Sequence, residues 1–225
     1  MNQAVDIMRE IVESLNLKVK ITSVTPSGPN FVWKVCNTQY LNTGAKFTLN
    51  GNPYRVISFV HNQSLTVSGP SIVPGDYSLA APFFTHGKFE AVTNELARQK
   101  VTDWNPIVWM FELHRRNKPA DVLSPFESEG DVRLFLMNTS NWKDFATEDH
   151  YNEVIRPLSN VAEAIYQKAL RLIGVTDLDQ FDTINHAKFT TGGNGIAVTG
   201  TKVLPDTQSG IEIFMSLPIK KKCYC

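Results

Sequence analysis

With 225 residues the chain can bury a sizeable core as one large domain or two smaller ones, and it needs neither metal nor disulfide to fold. Lysine plus arginine and aspartate plus glutamate number 22 each, with a net charge of about +2 up to Thr85 and about −2 beyond it, so neither half has the basic excess that backbone binding to nucleic acid demands. Asp6, Arg9, Glu10 and Glu13 interrupt the N-terminal apolar residues, no stretch approaches the roughly 20 apolar residues of a membrane span, and the cysteines are odd in number, with Cys36 far from the terminal pair, which suits a reducing compartment, so a soluble protein made in a cytoplasm is expected.

Ala4, Ile7, Met8, Ile11, Val12 and Leu15 recur at helical spacing with charges between them, which predicts an amphipathic helix over 2–16. From Lys18 to about Tyr77 the period becomes two and the punctuation becomes glycine, proline and asparagine. "KVKITSV", "NFVWKVC", "KFTLN", "YRVISFV" and "SLTVSG" read as five short strands of a small barrel or sandwich. Asn50-Gly51 tolerates positive φ at both turn positions and so favours a tight hairpin, with His61-Asn62 a second turn. "SGPSIVPGDYSLAAP" reads as a linker, because its prolines and glycines interrupt ladders and helices, and the boundary falls near Pro82.

Beyond it, "GKFEAVTNELARQKV" predicts a helix and "NPIVWMFEL" a strand. "DVRLFLM", apolar on both faces except for Arg133, predicts a central strand. The longest helix repeats Val154, Leu158, Val161, Ile165, Ala169 and Leu172 up to Gly174, with a kink or a fresh start at Pro157. "GIAVTGTKVL" and "SGIEIFMSLPI" close the chain as two strands. In the last, Ile211, Ile213, Met215 and Leu217 alternate with Glu212, Phe214 and Ser216, as a strand with one buried face requires. The expected fold class is α+β: an N-terminal helix (1–17), a small antiparallel β-barrel-like domain (18–82), an α/β sandwich with a mixed or antiparallel sheet packed by a long helix (83–219), and a flexible tail (220–225).

Chemistry-bearing patterns are sparse. The five histidines lie on different elements without metal-ligand spacing, and Cys223-Tyr224-Cys225 cannot alone close a tetrahedral site, so no metal is expected. The glycines of "TTGGNGIAVTG" precede a strand instead of opening a helix, so no dinucleotide or other cofactor is expected. No nucleophile elbow occurs, and Cys36 reads as a buried, inert thiol in a strand. "DVRLFLMNTSNWKDFATEDHY" is dense in polar groups. Asp144, Glu148, Asp149 and His150 are the candidates for acid–base chemistry of a hydrolase, if they share a cleft. The alternative is a helix start, in which Thr147 caps and Glu148 and Asp149 favour the positive end of the dipole; this accounts for more of the stretch, and no catalytic residue is assigned. A ligand- or peptide-binding module built on the β-domain is the other alternative.

The strand "NPIVWMFEL", the strand-loop-helix "VRLFLMNTSNWKDFATEDHYNEVIRPLSNVAEAI" and the closing "DTQSGIEIFMSL" resemble, over about 87–217, the tail terminator and neck proteins of tailed bacteriophages. The resemblance implies a non-enzymatic virion protein, made in the host cytoplasm, that forms a homo-oligomeric ring, six-fold, between the tail tube and the neck or connector proteins. The β-domain at 18–77 departs from the family pattern and resembles the small barrels of head-closure components. Aromatic anchors for such interfaces are Trp104, Trp109, Trp142, Phe145 and Tyr151, and Lys220, Lys221 and Lys222 are candidates for non-specific contact with DNA passing through the lumen.

Overall fold

A computed structural model describes residues 3–88, 106–117, 126–139, 147–178, 180–186 and 208–220. Helix α1 (Gln3–Glu13) buries the expected apolar stripe, with Met8, Ile11 and Val12 fully covered and Leu15 buried just past its end. Its partner is the chain's second sheet and the long helix, whereas the strands that follow α1 in sequence belong to a separate first sheet.

That first sheet contains β1 (Lys18–Ser27), β2 (Asn30–Val35), β3 (Lys46–Leu49), β4 (Asn52–Val60), β5 (Ser64–Ser68) and β6 (Gly75–Ser78), all antiparallel, in the order β3-β4-β5-β2-β1-β6. Neighbouring strands are about 4.8 Å apart, so in a flat sheet β2 and β3 would be separated by about 14 Å. The Trp33 ring of β2 nevertheless sits 6.1 Å from Phe47 of β3 and 5.1 Å from Tyr54 of β4. The sheet therefore curls around this aromatic cluster, giving the barrel-like unit read from the sequence.

The stretch read as a linker contributes a sixth strand, because Pro70, Pro74 and Pro82 flank Gly75–Ser78 without interrupting it, and this tetrapeptide pairs with Lys18–Ile21. Asn50 (φ 49°) and Gly51 (φ 79°) do form the tight hairpin turn. A Cβ at Gly51 would meet nothing within 4 Å, so Gly51→Ala isolates the backbone cost of the left-handed region. A loss of about 1–2 kcal/mol is expected from urea denaturation.

The second sheet is mixed: β7 (Phe83–His86), β8 (Ile107–Asn117), β9 (Phe126–Thr139), β10 (Phe181–His186) and β11 (Gln208–Lys220) run in the order β10-β11-β9-β8-β7, with only the β7–β8 pair parallel. The Arg133 strand, β9, is central as expected. Strands β7 and β10 were not foreseen; the predicted helix at 87–101 and strand at 195–204 fall largely or wholly outside the described residues. Helix α2 (Thr147–His150) leads through a π-helical turn (Tyr151–Ile155) into α3 (Arg156–Ile173), whose second residue is Pro157. The helical backbone runs unbroken into the proline, Ile155 and Arg156 both being right-handed, so the chain makes no fresh start there. Gly174 ends the helix in the left-handed region (φ 77°), its N–H bonding the Leu170 carbonyl at 2.8 Å.

Helices α1 and α3 cover one face of the second sheet, where Val108, Leu134, Leu136, Ile213 and Met215 join the main core. The last strand was expected to bury one face only. Both are buried: Trp109, Phe135 and Met137 are covered on the far side, and Glu212 is 2% exposed. Because α1 packs on this sheet, residues 18–78 are an insertion between α1 and β7. The inserted unit leans on α3 and the π-turn through its 37–45 loop: the Thr43 N–H donates to the Glu153 carboxylate at 3.2 Å, and Asn160 Nδ2 donates to the Gln39 carbonyl at 3.2 Å.

Candidate functional site

Ionisable side chains meet on the far face of the second sheet. Pairing of β9 with β11 sets Arg133 opposite Phe214, Asp131 opposite Ser216 and Phe135 opposite Glu212. Arg133 reaches diagonally to Glu212, its Nε donating to Oε1, while His186 on the flanking strand bonds Oε2 through Nε2 at 2.6 Å. The guanidinium lies 5.2–5.6 Å from the ring centroids of Phe111, Phe135 and Phe214, an aromatic setting that stabilises a partly desolvated cation. Ser216 Oγ donates to Asp131 at 2.7 Å.

Burial pushes the Glu212 carboxyl up, yet the hydrogen bonds from His186 and Arg133, with their charge, outweigh it and hold the group below the ordinary carboxylate value. Glu212 is therefore an ionised strut with both oxygens engaged: it has no proton to give, and abstracting one would break its own supports.

Around the predicted acid–base residues the geometry is open. Glu148 and Asp149 are exposed in the first turn of α2, Glu148 accepting from Asn152 at 3.1 Å. His150 instead turns inward, hydrogen-bonds the His186 backbone and keeps a buried Nε2 without a partner among the described residues; burial lowers its basicity, against the opposing effect of that hydrogen bond. Two of the five histidines thus adjoin, which sequence spacing could not reveal. Asp144 lies outside the described residues, as do Trp104, Trp142, Phe145, Lys221, Lys222, the 192–200 glycine segment and the terminal cysteines.

Of the expected interface anchors, Trp109 is corrected to a core residue. It is 1% exposed, donates its indole N–H to the Gly87 carbonyl at 3.1 Å and packs on Phe111 and Phe135, each at 5.2 Å. Tyr151 is on the surface, 47% exposed, with Arg156 5.8 Å from its ring centroid. Lys220 ends β11. Cys36 is also corrected: β2 stops at Val35, leaving the thiol residue exposed just beyond the strand.

A cleft of about 890 Å³ lies elsewhere, between the β3–β4 hairpin and the segment 80–84. Phe47, Tyr54, Phe83 and Phe84 line it together with Lys46 and Arg55, and none of Glu148, Asp149, His150, His186 or Glu212 does. Among the described residues no group of three or more histidine, cysteine, aspartate or glutamate side chains is placed to hold a metal ion, and no helix is long and apolar enough to cross a membrane. No protein-family model matches the chain, and no curated protein matches it.

Proposed function

We propose that this chain is a non-enzymatic structural protein of a tailed-phage virion, forming a six-fold ring at the junction of neck and tail. One observation carries the reading: the ionisable groups that do converge, Arg133, Glu212 and His186, satisfy one another within the sheet and stand apart from the cleft. Polar residues here are spent on holding strands in register. The resemblance of the second unit to tail terminators supplies the class, and the β-unit inserted between α1 and β7 supplies a further surface for a neighbouring ring. Closed rings use heterologous contacts, which a chain with two differently shaped faces can provide.

Light scattering coupled to size exclusion tests this. The expected result is a particle of about six times 25.2 kDa, formed by the chain alone or on adding a tail-tube protein. A monomer under both conditions would overturn the assignment.

A further inference from the structure

A sheet edge presents open peptide groups, and folded proteins blunt such edges by keeping them very short or by placing lysine, proline or a bulge there. Among the described residues the edge strands β3, β6 and β7 are four residues each. Strand β10, also an edge, is six residues long, keeps a regular register with β11 and contains neither lysine nor proline. The Ser216 N–H donates to the Gln180 carbonyl at 3.2 Å, so residues 180, 182, 184 and 186 bond inward to β11, and the peptide groups of Phe181, Thr183 and Asn185 point outward. Among the described residues β11 alone pairs with β10. Asp182, Thr183, Ile184 and Asn185 are exposed on both faces of the sheet, Ile184 by 48%.

The sequence of this strand complements itself. When the same strand of a second copy lies antiparallel along the open edge with the two-fold axis at Ile184, Ile184 faces Ile184, Thr183 faces Asn185 and Asp182 faces His186. Thr183 and Asn185 then exchange both of their N–H···O bonds, and the isoleucines form the closer, non-hydrogen-bonded kind of pair. Asp182 and His186 lie on the same face as Ile184, so a carboxylate and an imidazole flank the apolar pair on either side. Contacts within their own chain hold both groups in place, Asp182 accepting from Gln180 at 2.8 Å and His186 bonding Glu212 at 2.6 Å. Charge selects this register: an axis at Asp182 brings two carboxylates together, and an axis at Thr183 sets Asp182 against Ile184.

We propose that the chain forms a two-fold dimer in which β10 pairs antiparallel with β10 of a second copy, joining their five-stranded sheets into one. A ladder this short buries less than the roughly 1,200 Å² of a stable interface, so a dissociation constant in the micromolar range is expected. The contact is isologous and cannot recur around a single six-fold ring, so it belongs to the chain before ring partners are added and stands or falls separately from the ring.

Sedimentation velocity of the chain alone over about 1–200 µM is expected to show a monomer–dimer equilibrium. Ile184→Lys puts two ammonium groups on the axis and should weaken the dimer by at least about tenfold with thermal unfolding unchanged. Thr183→Pro removes an outward N–H that the ladder to β11 does not use, and should also give monomer. In a chain whose Cys36, Cys223 and Cys225 are replaced by serine, Ile184→Cys should crosslink on oxidation, since Cα atoms facing each other there stand about 4.5 Å apart, within disulfide reach. Thr183→Cys in the same background should not. A monomer at every concentration would overturn the proposal, as would oligomers that form undiminished in Ile184→Lys and Thr183→Pro. Crosslinking through residue 183 in place of 184 would overturn it too.

Discussion

Replacing Glu212 with alanine is expected to lower folding stability by about 3–5 kcal/mol, because it leaves the Arg133 charge and the His186 imidazole facing an empty, largely buried space. Glu212→Gln should cost less, since it preserves volume and one acceptor oxygen. The effect carries a pH signature. The carboxyl is held below its ordinary value of 4.5, so its contribution is fully present above that value and is lost as pH falls through the lower folded-state value. Urea denaturation of wild type and Glu212→Ala should therefore differ most near neutrality, and the gap should narrow in acid. A gap that stays constant to low pH would show that the ionised carboxylate is not what Glu212 contributes.

Gly210→Ala should be almost as damaging, by about 3 kcal/mol, the upper part of the range for overpacked cores. A Cβ at this position would overlap the backbone carbonyl of Leu136 on the neighbouring central strand. Neither strand can retreat easily: Leu136 and Met137 are fully buried, Ile211 is 2% exposed, and β11 is held by β9 on one side and β10 on the other. Thermal unfolding measures the loss. The comparison with Gly51→Ala is instructive, since there the alanine meets open space and only the backbone conformation resists. A Gly210→Ala protein melting at the wild-type temperature would mean that the two strands lie farther apart than the structure places them.

Local rules carried the first unit well. Alternation located five of its strands, and Asn50-Gly51 identified a turn whose two positive φ angles are a property of the dipeptide itself. Strand β6 was hidden because Gly75–Ser78 is too short to display a period and is bracketed by prolines; its pairing with β1 is a long-range choice. Strand β10 was hidden for a different reason. Asp182, Thr183, Ile184 and Asn185 are all exposed on an edge, so no buried face marks them. Arg133 signalled a central strand correctly, but Glu212 looked like the solvent side of an amphipathic strand. Its burial depends on register: only when β11 lies beside β9 does an apparent surface acid become the partner that a charged residue in an apolar strand requires. The cleft was illegible because Phe47, Arg55 and Phe84 come from separate stretches that the curl of one sheet and the edge of another bring together.

Lys18 and Ser78, the first and last paired residues of the inserted unit, are cross-strand neighbours, and the Leu79 N–H bonds the Leu17 carbonyl at 2.8 Å. The excursion therefore leaves and rejoins the second unit at a single doorway. Force that parts the two ends would open the Lys18–Ile21 and Gly75–Ser78 ladder rung by rung from the Lys18–Ser78 pair, while the Thr43–Glu153 and Gln39–Asn160 contacts act as an outrigger against bending. Stitching residue 17 directly to residue 79 closes a gap the width of one hydrogen bond, so the barrel is a cassette whose excision leaves the two ends already in place.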